Sequence, residues 1–178
     1  MEGILHPSES LTEMTLAQEL GVSRNTVKKA LLMLERENLV VIEESKRARV
    51  KSFSLEEMVQ YLQVRELLEG FIIKEAVPLL TEKQIGTMRS ILAEMKQCYE
   101  AHELVEYSQR NWRFHDVIYQ ACPNKPAVEM TLSIKNQFKR YNVRTILIKG
   151  RDDASFSEHC AILDAIEKRN AGEAQQLM

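Results

Sequence analysis

Two groups of side chains in this 178-residue chain have the types and spacing to do chemistry. One is basic and sits near the N-terminus: Ser23, Arg24, Asn25, Thr26 and Lys28, followed by Lys46, Arg47 and Arg49. Arg pairs bidentately with guanine O6 and N7, Asn pairs with adenine, and Thr or Lys reaches base or phosphate, so the set suits contact with DNA. The other is Asn111, His115 and His159, with Arg65, Arg140 and Arg144 as candidate counter-charges. Two imidazoles and an amide facing one interior admit three explanations. They are core groups satisfied by neighbours, donors to a divalent metal such as zinc, or part of a pocket in which histidines and an Arg grip a carboxylate. Asn is neutral and a poorer ligand than a carboxylate, and two imidazoles alone make a weak metal site. The carboxylate pocket, with Arg65 and then Arg144 supplying charge, therefore ranks first and the metal second.

The basic group needs a rigid frame, and the local pattern supplies one. Thr12–Leu20 reads as a short helix with Leu16, Ala17 and Leu20 inward, stopped at Gly21, which tolerates the positive φ of a helix end. Ser23 then caps a second helix over Arg24–Glu37, with an inward stripe of Val27, Ala30, Leu31 and Leu34. Two helices joined by a short turn containing Gly form a helix-turn-helix. Leu39–Ile42 and Arg47–Val50 read as a two-stranded wing with basic residues at its tip and on its return strand. Residues 1–22 hold four acids and no Lys or Arg, whereas 23–51 hold eight bases against four acids. The whole chain carries a net charge of -2, so the cationic surface is confined to one segment, as expected of a small face that meets phosphate.

The histidines need helices. Ser54 and Glu57 form a capping box that opens a long helix using Leu55, Met58, Val59 and Leu62, then Leu68, Phe71 and Ile72. Thr81 and Gln84 repeat the device ahead of the stripe Ile85, Met88, Leu92, Met95 and Tyr99. A third helix, about Glu103–Ala121, carries Leu104, Tyr107, Asn111, Phe114 and Ile118 on one face, which puts Asn111 on the inward seam and His115 one turn on. A fourth starts near Pro126 and continues to about Ile148. A fifth starts at Ser157 and places His159 ahead of Ile162, Leu163 and Ile166. A short sixth ends the sequence. The fold class is mainly α: an N-terminal winged helix-turn-helix over residues 1–52, then an all-α antiparallel bundle over residues 54–178.

Composition sets bounds on the rest. With 44% apolar and 28% charged residues the chain can bury a core, as one large or two small domains. It has no apolar run of membrane-spanning length and no secretory signal, which makes a cytoplasmic protein the expectation. Cys98, Cys122 and Cys160 form no C-x-x-C pair and suggest neither a disulfide framework nor a cysteine zinc site. A Gly-rich phosphate loop, G-x-S-x-G and H-E-x-x-H are all missing from the sequence, so an enzyme is not expected.

The string Leu16-Ala17-Gln18-Glu19-Leu20-Gly21-Val22-Ser23-Arg24-Asn25-Thr26-Val27-Lys28-Lys29-Ala30-Leu31, with Leu34-Glu35 and Glu37-Asn38-Leu39-Val40, resembles the DNA-binding signature of the GntR family of bacterial winged-helix regulators. Arg65-x-x-x-Glu69, Phe114-His115 and Glu158-His159-x-x-Ile162-Leu163-x-Ala165-Ile166 resemble the FadR-type helical effector domain of one large GntR subfamily. The resemblance places Arg24 and Lys28 where relatives read the operator with Arg, and Thr26 on a phosphate. It places Lys46, Arg47 and Arg49 along the adjacent minor groove or backbone, with Ser45 where wings usually carry Gly. In the effector domains it implies a metal, commonly zinc, held by an Asp-x-x-x-His pair and two later histidines. Here Asn111 takes the Asp position, His115 and His159 match, and the last histidine would fall just beyond Met178. A helix normally precedes the segment at Ile4–Leu11, and the expectation is either that both ends are trimmed or that this member does without those pieces. The function implied is a transcription regulator, a repressor in the first instance, acting as a homodimer on a near-palindromic operator under control of a small organic acid. Two alternatives stand beside it: a metal-dependent enzyme built on Asn111, His115 and His159, and a ligand-binding dimer that no longer reads DNA.

Overall fold

Hydroxyl caps and one left-handed residue set the boundaries of the first two helices. Thr12 Oγ1 accepts the Thr15 N–H at 3.2 Å and opens α1 (Glu13–Leu20). Gly21, at φ 64°, ends it, and the Val22 N–H reaches back to the Ala17 carbonyl at 3.1 Å. Ser23 Oγ accepts the Thr26 N–H at 3.1 Å and opens α2 (Arg24–Arg36). A Cβ built on Gly21 meets nothing within 4 Å, so substitution there is opposed by backbone conformation alone. Gly21→Ala is expected to lower the stability of this unit by about 1 kcal/mol, read by urea denaturation. An unchanged midpoint would show that the turn does not depend on its left-handed residue.

The structure, a computed structural model, describes residue 6 and residues 8–43, 47–145 and 151–178; the side chains of 139–145 and 151–153 also fall outside that description. It divides into two compact units, 1–60 and 61–178, the division falling within α3 (Leu55–Ala76).

In the first unit, β2 (Val40–Ile42) and β3 (Ala48–Val50) pair antiparallel with Val41 opposite Arg49. The expected two-stranded wing is a three-stranded sheet, because β1 (Ser10–Leu11) adds to the other edge of β3 in the order β1-β3-β2. Leu11, Ala17, Val27, Leu31, Val40, Ala48 and Val50 form its core. Glu35 Oε1 accepts the Ile42 N–H at 3.2 Å and ties α2 to the sheet. Leu20 and Ala30, expected inward, are exposed.

The second unit is a helical bundle of α3, α4 (Glu82–Glu100), α5 (Leu104–Ala121), α6 (Lys125–Thr145), α7 (Arg151–Glu167) and α8 (Ala171–Leu177). Both predicted capping boxes form, Ser54 with Glu57 and Thr81 with Gln84. α4 packs against α5 and α7, α6 against α5, and α8 against α7. Ile72, Ile73, Ile85, Met88, Met95, Tyr107, Phe114, Ile118 and Ile166 fill the centre. The interior face of α3 meets the expectation in part: Ile72 is buried and Leu68 packs on the core, but Leu55, Val59, Leu62 and Phe71 are exposed, and Glu69, Ile73 and Ala76 are buried beside Ile72. Apolar residues occupy several faces of this helix, so its period alone does not select the seam. α7 starts at Arg151 instead of Ser157, which brings Ser155 and Phe156 onto a helix that packs inward. The expected end of the fourth helix at Ile148–Gly150 lies outside the described residues.

Candidate functional site

The α2 N-terminus presents Arg24, Asn25 and Lys28 to solvent, on the side opposite buried Val27 and Leu31. Arg24 keeps 70% of its side chain exposed, and Glu13 Oε2 lies 3.5 Å from its Nη2. Ser23 and Thr26 are committed locally: their hydroxyls meet at 2.8 Å in the helix cap. Beyond β2, the Glu43 N–H donates to the Arg47 carbonyl at 2.9 Å and closes the wing. Arg47 is exposed, whereas Arg49 is half-buried and held by Glu43 Oε1 at 2.7 Å and the Ser8 carbonyl at 3.4 Å. Glu43 therefore neutralises a wing base. Lys46 lies outside the described residues.

In the second unit, α3, α5, α6, α7 and Leu177–Met178 line a cavity of about 230 Å³. Arg65, Asn111, His115 and His159 all line it, so four of the five residues expected to bind a ligand come together. The side chain of Arg144, the fifth, and that of Arg140 lie outside the description. Periodicity explains the meeting. His115 follows buried Phe114 on α5, and His159 precedes Ile162 and Leu163 on the inner face of α7.

One hydrogen bond orients the His159 ring: Nδ1–H donates to the Ser155 carbonyl at 2.6 Å, since a carbonyl only accepts. His115 Nε2 lies 3.2 Å and Asn111 Oδ1 3.3 Å from His159 Nε2. His115 Nδ1 is buried with no hydrogen-bond partner among the described residues. His115 is held well below the ordinary histidine range, first by burial and then by Lys135, His159 and Arg65.

The same three atoms are the donors a metal would need. Two nitrogens on a tetrahedral zinc at the usual bond length stand about 3.4 Å apart, so the spacing suits an ion. The chemistry of the donor set does not. All three donors are neutral, and the cations Lys135 and Arg65 act on His115. Among the described residues no group of three or more His, Cys, Asp or Glu could hold a metal. The residues present do not fit a tightly bound dication.

Beneath the histidines lies a buried charge network that the sequence patterns did not reveal. Glu69 on α3, Tyr119 on α5 and Lys135 on α6 are 5%, 2% and 8% exposed. Tyr119 O–H donates to Glu69 Oε1 in a short bond, and Lys135 Nζ donates to Tyr119 Oη at 2.9 Å and to Glu69 Oε1 at 3.4 Å. Arg65 Nε is 3.1 Å from Glu69 Oε2, an ion pair across one helical turn. Burial pushes the Lys135 ammonium below the ordinary lysine range against the pull of Glu69, and burial with the adjacent Glu69 charge pushes the Tyr119 phenol up. Glu69 and Lys135 line the cavity with Ser108 and Trp112. The available signal was a Lys at helical spacing on a buried stripe, Val128, Thr131, Lys135 and Phe138.

Residues 1–50 match the family described as bacterial regulatory proteins, gntR family, and residues 60–178 match the FCD domain. The Uxu operon regulator of Haemophilus influenzae is 27% identical over 198 residues, covering 99% of this chain and 72% of its own. The gluconate operon transcriptional repressor of Bacillus subtilis is 29% identical over 121 residues, 68% of this chain and 49% of its own. The solved structure of E. coli McbR/YncC superposes with a TM-score of 0.80 at 20% identity, over 98% of this chain and 84% of that one. No helix among the described residues is long and apolar enough to cross a membrane.

Proposed function

This chain belongs to the gntR family of bacterial regulatory proteins, in the group that carries an FCD domain, and we propose that the DNA-binding transcription regulator so defined is a repressor released by a small hydroxylated carboxylate. The observation that carries the effector half of this reading is the cavity. It is polar and lined by Arg65 and Lys135 as cations with Ser108, Asn111, His115 and His159 as neutral hydrogen-bonding groups. At about 230 Å³ it suits a sugar-acid-sized molecule, while the ionised groups of its wall disfavour an acyl chain. Two similar regulators are named for the uxu and gluconate operons, and gluconate is a hydroxylated monocarboxylate of this kind. The metal implied by family resemblance is not part of the reading, because Asn111, His115 and His159 bring no anionic donor.

For DNA, the reading uses residues 1–52: Arg24, Asn25 and Lys28 in the major groove and Arg47 along the flanking backbone, with Arg49 held by Glu43. Residues 54–178 bind the effector and form the homodimer, whose twofold axis matches a near-palindromic operator. The effector alters DNA affinity by binding one dimer geometry better than the other. Such a regulator works beside the chromosome, in the cytoplasm, and needs no catalytic step.

Selection from a random duplex library tests the reading. The expected product is an inverted repeat whose half-sites lie one helical turn or a multiple of it apart. Affinity for it should fall steeply with salt, at roughly one unit of log–log slope per phosphate contact. A pool without an enriched repeat would overturn DNA recognition, and a flat salt dependence would exclude the phosphate contacts.

A further inference from the structure

We infer that Lys135, with Arg65, is the carboxylate-binding group of the cavity, and that the organic acid binds there without a metal. The inference rests on the reading of this cavity as an organic-acid site and adds which atoms carry the recognition.

Charge distribution is the first argument. Among the described side chains that line the cavity, Arg65 and Lys135 are the only Arg and Lys, and Glu69 is their common counter-charge. Two cations and one anion leave the floor with one positive charge, enough for one carboxylate. Glu158, the other acid of the lining, is exposed, where water screens it. Asn111 and the two imidazoles offer hydrogen bonds and no anion, so they suit hydroxyl groups better than they suit a dication.

Donor accounting is the second. An ammonium has three N–H groups, and Lys135 commits two of them, to Tyr119 Oη at 2.9 Å and Glu69 Oε1 at 3.4 Å. The terminal nitrogens of Arg65 have no partner among the described residues; only Nε faces Glu69. The unspent donors of both cations belong to side chains on the cavity wall, so a carboxylate there can take hydrogen bonds from each. Tyr119 and Glu69 hold the ammonium from behind. That fixes a flexible side chain before the ligand arrives, and its ordering is not charged against affinity.

The test uses the full chain and four probes, D-gluconate, D-glucuronate, L-lactate and citrate, titrated calorimetrically with excess EDTA and then with added Zn²⁺. At least one probe is expected to bind with the same Kd in both. For that probe, Lys135→Met should weaken binding by about 10- to 150-fold, the equivalent of one charge-assisted hydrogen bond. Because this variant strands Glu69 and endangers the fold, the decisive variant combines Lys135→Met with Glu69→Gln. It strands neither member of the Glu69–Lys135 pair, leaves Arg65 facing an amide oxygen in place of its carboxylate, and keeps the net charge of the floor unchanged, so a loss of similar size reports the lost ammonium contact and not a weaker field. Asn111→Asp supplies the missing anionic donor and is expected to make the protein retain zinc through gel filtration when the parent does not. Probe binding that vanishes in EDTA and returns with Zn²⁺ would overturn the metal-free site and leave the organic-acid reading standing. A double variant that binds like the parent would remove Lys135 from recognition. Failure of all four probes under both conditions would overturn both readings.

Discussion

Arg24→Ala is expected to reduce affinity for the selected operator by about 30- to 20,000-fold without measurable loss of fold. The range follows from the geometry. Arg24 is the first residue of α2, with 70% of its side chain exposed and aimed away from the Val27–Leu31 face. A bidentate Arg–guanine pair discriminates by about 1–3 kcal/mol, and a twofold-symmetric dimer loses two such pairs at once. Stability should not follow. Glu13, the ion-pair partner of Arg24 in the structure, lies at 3.5 Å, and exposed pairs of this kind contribute about 0–1 kcal/mol. Fluorescence anisotropy on the operator and on a scrambled duplex separates the contributions, since Arg24→Ala should bring the first close to the second. Glu13→Ala is the control: it frees the same guanidinium and should leave operator affinity intact or higher. An Arg24→Ala protein that still prefers the operator by the parental margin would move recognition away from the start of α2.

The parts of this molecule that were legible in the sequence are those whose signals are local. Thr12, Gly21 and Ser23 announce a helix-turn-helix because each acts on backbone groups within a few residues of itself. Ser54 with Glu57 and Thr81 with Gln84 do the same for α3 and α4. His115 and His159 were recognisable as a meeting point because each sits beside an apolar stripe of clear helical period. β1 was not recognisable: two residues have no period, and Ser10–Leu11 becomes a strand only through its pairing with Arg49 and Ala48. The interior face of α3 is only partly legible, because that helix carries Leu, Val and Phe on several sides. Leu68 and Ile72 do pack inward, but Phe71 is exposed, and Glu69 and Ile73 complete the seam. Only a buried Glu69 calls for a buried Lys135. Their pairing joins α3, α5 and α6, and no pattern within one helix records it.

That network gives the second large effect. Glu69→Ala is expected to destabilise the second unit by about 3–5 kcal/mol, because it removes one member of a buried ion pair and strands the other. Glu69 is 5% exposed, so little solvent screening reduces the figure, and its carboxylate serves Tyr119, Lys135 and Arg65 together. In a chain of 178 residues this is a fall of about 10 °C in the midpoint of thermal unfolding. Glu69→Gln keeps acceptors for Tyr119 and Arg65 and should cost less. Pairing Lys135→Met with Glu69→Gln should recover part of the loss relative to Glu69→Ala, since neither buried charge then remains. The sign of that recovery distinguishes two accounts of the network. If it exists to stabilise the fold, removing both charges should be as damaging as removing one. If it exists to hold a cation at the wall of a binding cavity, the doubly neutral protein should be the more stable of the two and the poorer binder. A Glu69→Ala protein within about 1 kcal/mol of the parent would show that water reaches Lys135, and that the ammonium is not held in the dry, directed position that recognition requires.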